Sequence, residues 1–122
     1  MKIRIQGNSI RYRLTRSEVI TLCDKGQISE QTFFKNNVFN YRVQSEASTN
    51  VMKADFKEGS ITLYVPEAKL KNWDKDNRVG FSETLTLPNN EALSLLLEKD
   101  FVCLDRREED QSDQYPNPKA IL

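Results

Sequence analysis

Four basic residues alternate along the first fourteen positions, Lys2, Arg4, Arg11 and Arg13, and Arg42 and Lys53 recur at the same phase of later alternating stretches. Arginine forks match phosphate or carboxylate oxygens bidentately, and several converging on one cavity would be costly to desolvate without a counter-charge. Lys2, Arg4, Arg11, Arg13 and Arg42 are therefore the candidate anion clamp. The competing reading is a solvated outer sheet face whose partners are acids elsewhere in the chain, the acidic tail among them. Both remain open on residue types alone.

Other chemistry is sparser. Glu83, Glu98 and Asp100 could hold a divalent cation or serve as acid and base, since carboxylates suit magnesium or calcium. No motif orders them, and the tail lacks the D-x-D-x-D-G order of a calcium loop. Cys103, in Phe101-Val102-Cys103-Leu104, is the candidate reactive thiol if Arg106 and Arg107 lower its pKa, and a small buried hydrophobe otherwise. Trp73, Tyr12, Tyr41 and Tyr64 would stack a base or sugar only if they faced one groove; core packing is the alternative. The four glycines are isolated, so no phosphate loop exists.

With no histidine in the chain, imidazole mechanisms and the usual zinc hydrolase sites are closed. Cys23 and Cys103, the two cysteines, are too far apart in sequence for a C-x-x-C pattern. No cofactor is expected. The start, Met-Lys-Ile-Arg-Ile-Gln-Gly, has no apolar leader, and no apolar run approaches the ~18 residues that span a bilayer. A cytoplasmic location with free thiols follows as the expectation, a Cys23–Cys103 disulfide being the alternative in an oxidising compartment.

The elements that must position these residues are short. Ile3 and Ile5, then Ile10, Tyr12 and Leu14 after Gly7-Asn8-Ser9, predict a hairpin with one apolar and one basic face. Thr15 and Glu18 form a capping box for a helix over Arg16 to Lys25, stopped by Gly26, with Cys23 pointing to the core. Strands are predicted over Ile28 to Phe34 and around Phe39, Tyr41 and Val43. A second hairpin follows, Met52-Ala54-Phe56 with Ile61-Leu63-Val65, turning at Glu58-Gly59. Pro66 to Trp73 predicts a short helix with a Glu67–Lys71 pair. Val79 to Leu87 and Leu93-Leu95-Leu97 predict the last two strands, although leucine's helix propensity makes a helix over 89–99 the competitor. No internal repeat stands out.

The 122 residues are 38% hydrophobic and 30% charged, which suits one soluble domain with a core of its own. The fold expectation is mainly β or α+β, an antiparallel, barrel-like sheet of about eight short strands with two short helices. The β-rich domain is placed at 1–104 and an acidic, proline-containing tail at 105–122. Eighteen basic and eighteen acidic residues cancel. Yet residues 1–45 hold eight basic and three acidic ones, and residues 98–122 four and seven. Zero net charge removes the bulk argument for nucleic-acid or membrane binding.

Two stretches carry a resemblance. Lys2-Ile3-Arg4-Ile5-Gln6-Gly7-Asn8-Ser9-Ile10-Arg11 and Glu98-Lys99-Asp100-Phe101-Val102-Cys103-Leu104, followed by Arg107, Glu109-Asp110 and Pro116-Asn117-Pro118, resemble a family of small bacterial proteins of unknown function. The resemblance implies a single-domain cytoplasmic protein and brings no activity with it. The triphosphate-tunnel enzymes open with E-x-E-x-K, whereas Lys2 and Arg4 stand here, so likeness to them is architectural. The expected function is a non-enzymatic binding or interaction module with a basic sheet face. The alternative is an enzyme or sensor for a small anionic, phosphorylated ligand. Partners are thus an unknown protein or a small anion, with no nucleic acid and no membrane expected and the oligomeric state open.

Overall fold

The computed structural model describes residues 1–101 and 113–116. Alternation produces the strands. Ile10, Tyr12 and Leu14 are buried along β2 (Ser9–Leu14), while Arg11 and Arg13 between them face out. β1 (Lys2–Gln6) folds back on β2 through Gly7-Asn8, with Gly7 at a φ of 54°. The helix α1 (Arg16–Lys25) starts where the sequence places it. Thr15 Oγ1 accepts from the Glu18 amide, the Glu18 carboxylate accepts from the Thr15 amide, and Gly26 closes the helix in the left-handed region.

β3 (Gln27–Phe33) and β4 (Val38–Glu46) form the next hairpin. β5 (Lys53–Lys57) and β6 (Ser60–Pro66) form the third, through Glu58-Gly59, both at positive φ as a type I′ turn needs. The second helix is shorter than predicted. α2 covers Glu67–Leu70, and Asn72 turns to a φ of 63°. Arg78 takes over what would be the helix's next carbonyls, donating from Nη1 to Lys69 O and from Nη2 to Lys71 O. Lys71 therefore lies past the helix, and no helical Glu67–Lys71 pair forms. β7 (Gly80–Thr86) and β8 (Ala92–Lys99) make the last hairpin, so the helix considered over 89–99 is a strand. Leu95 and Leu97 are buried on one face of it.

Two four-stranded sheets result, ordered β1-β2-β8-β7 and β3-β4-β6-β5. Here the expected antiparallel barrel is corrected. Each sheet joins two hairpins through a parallel central pair, β2 with β8 and β4 with β6, and each keeps two open edges among the described residues. Their inner faces share one core. Val43, Ile61, Leu63 and Val65 come from one sheet, Ile10, Tyr12, Leu14, Leu95 and Leu97 from the other, and Val19, Leu22, Leu70 and Trp73 from the helical connections.

The arrangement is a repeat that the sequence conceals. Hairpin, helix and hairpin (β1β2-α1-β3β4) recur as β5β6-α2-β7β8. The pairing Lys2↔Arg13 becomes Lys53↔Tyr64, Gln27↔Gln44 becomes Gly80↔Glu98, and the parallel pair Ser9↔Ser94 becomes Ser60↔Asn40. An internal pseudo-twofold thus exchanges the two sheets. Backbone bonds repeat too: Ser94 N–H to Asn8 O mirrors Asn40 N–H to Gly59 O, and Lys99 N–H to Val79 O mirrors Ser45 N–H to Gly26 O.

Candidate functional site

The outer face of the sheet β1-β2-β8-β7 gathers four of the five predicted clamp residues. Lys2 lies opposite Arg13 and Arg4 opposite Arg11, so two like-charged cross-strand pairs are stacked side by side. Directly opposed like charges oppose pairing, and a counter-charge is needed nearby. β8 supplies it. Glu98, in parallel register with Arg13, accepts from Arg13 Nε at 2.8 Å and lies 3.6 Å from Arg11 Nε. Lys2 Nζ is 3.3 Å from the buried Asp100 carboxylate. For Arg4, no ion pair or hydrogen bond is found among the described residues. Among the described residues, Glu98 and Asp100 are the carboxylates that meet this cluster.

Lys2, Ile3, Arg4, Arg11 and Arg13 enclose a shallow hollow of about 150 Å³. Pockets for drug-sized ligands run to roughly 300–1,000 Å³, so this one has room for an oxyanion head and little more. The side chains of Lys2, Arg11 and Arg13 keep 48%, 39% and 41% of their surface. They form an open face and not a closed cavity.

Arg42 does not join them. It is on β4 of the other sheet, exposed, across from Ser29 and Thr62. Alternation fixed its phase correctly but carries no information on which sheet a strand enters. The pseudo-twofold sharpens the contrast, since Lys2, Arg4, Arg11 and Arg13 correspond to Lys53, Asp55, Thr62 and Tyr64 on the second sheet. Only the lysine is kept, and the cationic cluster belongs to one face alone.

The carboxylates proposed for metal or acid-base work have structural partners. Glu83 Oε1 accepts from the Met52 amide at 3.2 Å, and its repeat equivalent Glu30 accepts from the Met1 nitrogen at 2.9 Å. Asp100 binds Lys2 and accepts from Gln114 Nε2. Among the described residues no three Asp, Glu or Cys side chains come together as a metal site. The aromatic residues do not share a groove either. Tyr12 and Trp73 are fully buried, Tyr41 donates to Glu30, and Tyr64 faces outward on the second sheet. Cys23 is a free, half-buried thiol that donates to Leu70 O, and burial pushes its pKa up. Cys103 and most of the acidic tail lie outside the described residues.

Asp113–Pro116, the described part of the tail, docks on α1 and not on the basic face. Arg16 N–H donates to Asp113 O, and Ser17 donates from Oγ and N–H to the Asp113 carboxylate, at 2.6 and 3.2 Å. The hydroxyl of Ser17, then that of Thr15, holds the carboxyl below its ordinary value. A carboxylate with a depressed folded pKa stabilises above its unfolded value and loses that contribution as pH falls through the folded one. Wild-type protein is therefore expected to lose melting temperature between pH 5 and 3 more steeply than Asp113→Asn. Equal slopes in thermal melts across that window would contradict the contact.

A family of unknown function (DUF7009) matches residues 1–119. No curated protein and no solved structure matches the chain.

Proposed function

The chain belongs to the DUF7009 family of unknown function, and from that premise we propose a non-enzymatic binding module whose basic sheet face engages an acidic segment of a protein partner. The observation that carries the reading is the pair of opposed cation pairs, Lys2 with Arg13 and Arg4 with Arg11, side by side on one open sheet face. Opposed like charges are destabilising to the isolated sheet, and their absence from the pseudo-equivalent face supports reading them as serving recognition. Openness and the small hollow favour a carboxylate-bearing chain lying across the strands over an enclosed small substrate. A reducing, cytoplasmic setting belongs to the same proposal, supported by Cys23 as a free thiol.

Thermal-shift and anisotropy measurements with a glutamate-rich peptide, inorganic phosphate and duplex DNA test it. A ligand at a hundred times its Kd stabilises by about 2.7 kcal/mol. The peptide is expected to bind, to weaken with added salt as exposed charges are screened, and to bind at least about tenfold less to Arg4→Ser/Arg11→Ser. Binding of phosphate alone would favour the small-anion alternative. Tighter binding of DNA than of the peptide, or an unaffected double variant, would overturn the proposal.

A further inference from the structure

The sheet β1-β2-β8-β7 ends at β1 with an open edge. β1 and β2 are joined by Gly7-Asn8 alone, with Gln6 opposite Ser9, so Gln6, Arg4 and Lys2 spend their backbone groups on β2. The N–H and C=O of Ile3 and Ile5 therefore point away from the sheet. Among the described residues, no hydrogen bond reaches them. Side chains alternate in chemistry along the same edge. Lys2 and Arg4 stand on the outer face beside Arg13 and Arg11. Ile3 and Ile5 stand on the inner face, where Ile3 packs on the core but Ile5 keeps 59% of its surface exposed. An edge with free backbone groups invites pairing, and its charges select the partner. A second β1 laid antiparallel is a poor one. Every register that sets Ile3 against Ile3 or Ile5 puts Lys2 opposite Arg4 or Arg4 opposite itself.

We propose that the β1 edge takes the acidic segment of the partner as an added antiparallel strand in which acids alternate with apolar residues. This rests on the acidic-partner reading and gives it a geometry. In a strand bonded to Ile3 and Ile5, the residue across from Arg4 forms a non-hydrogen-bonded pair, where Cα atoms come within about 4.5 Å and side chains are closest. A Glu or Asp there meets the Arg4 guanidinium on the outer face, with Arg11 next to it on β2. The residues on either side of that acid fall on the inner face, opposite Ile3 and Ile5. A Val or Ile at these places covers the exposed Ile5 side chain. Main-chain bonds thus supply affinity, and the alternating side chains supply the choice of partner. The motif is apolar-acid-apolar in extended conformation.

Fluorescence anisotropy on the full chain compares a labelled Val-Glu-Val-Glu-Val peptide, flanked by glycines, with the same peptide N-methylated at its valines or at its glutamates. In the proposed strand the valine amides face β1 and the glutamate amides face solvent. Methylating the valines is expected to cost at least about tenfold in affinity, the scale of a hydrogen bond left unmade, and methylating the glutamates less than about twofold. Ile5→Pro removes an outward N–H and no bond within the sheet, so it is expected to weaken the unmodified peptide by a similar factor while a thermal melt shows the fold retained. If neither this peptide nor the glutamate-rich one binds, the acidic-partner reading falls and the added strand with it. Binding that ignores valine methylation, or that is lost on methylating the glutamates instead, would overturn the added strand alone. So would self-association in sedimentation that Ile5→Pro abolishes, which would make a second copy of the chain the occupant of this edge.

Discussion

Replacing Trp73 by alanine is expected to remove about 3–5 kcal/mol of stability, the range for truncating a large buried aromatic. The side chain is fully buried in the common core. Its ring lies 5.0 Å from that of Phe81, its Nε1 donates to Arg78 O at 2.9 Å, and Lys99 Nζ sits 5.6 Å from the ring centroid. Each contact anchors a different segment. Alanine leaves a cavity there, frees the Arg78 carbonyl, and lets water reach Lys99, which burial holds below its ordinary pKa and which donates to Asp76 O. Domains of this size are stable by roughly 5–15 kcal/mol, so the variant will be marginal at ordinary temperature. Trp73→Phe keeps most of the apolar volume and loses the indole bond, and it is expected to cost less than half as much. Urea unfolding followed by far-UV circular dichroism measures both. A loss below about 1 kcal/mol for Trp73→Ala would contradict the role given to this residue in joining those segments.

How much of this was legible beforehand depends on which physical signal each feature leaves in the sequence. Period-two alternation marked every hairpin, because burying one face of a strand demands it. It also settled β8, where Leu93, Leu95 and Leu97 outweigh leucine's helical preference once their face is covered. Alternation is the same for parallel and antiparallel partners. The joins Ser9↔Ser94 and Asn40↔Ser60 link residues distant in sequence and leave no local mark, which is why a purely antiparallel barrel was the natural expectation. The repeat hides for a related reason. Equivalent core positions need only be apolar, so Tyr12 and Leu63, Leu14 and Val65, and Leu22 and Trp73 diverge freely. What survives is Met1-Lys2 and Ser9-Ile10 against Met52-Lys53 and Ser60-Ile61, with Ser29-Glu30 against Ser82-Glu83. Aligning those would have exposed the duplication, the structural duty of Glu83, and the placement of Arg42 on the second sheet. The docking of Asp113–Pro116 had no comparable signal, since its partners Arg16, Ser17 and Asp100 follow no spacing rule.

Gly80→Ala should rank next, at about 3 kcal/mol, the upper part of the range for over-packing. A Cβ at Gly80 would lie 2.2 Å from the Leu97 carbonyl oxygen and 2.8 Å from Glu98 Cα. Both obstacles are backbone of the neighbouring strand, so relief requires β7 to move away from β8 rather than a side chain to rotate. That movement strains the Lys99 N–H bond to Val79 O and shifts Glu98, the counter-ion of Arg11 and Arg13. The effect should therefore be double: a melting temperature lower by on the order of 10 °C, and weaker acidic-peptide binding than the stability loss alone explains. Gly7 offers the control. No atom lies within 4 Å of its Cβ position, and only its φ of 54° resists a side chain, so Gly7→Ala should cost about 1 kcal/mol through backbone strain. If thermal melts put Gly80→Ala at or below Gly7→Ala, close approach of the two strands is not what glycine provides there, and the coupling between that edge and the basic face falls with it.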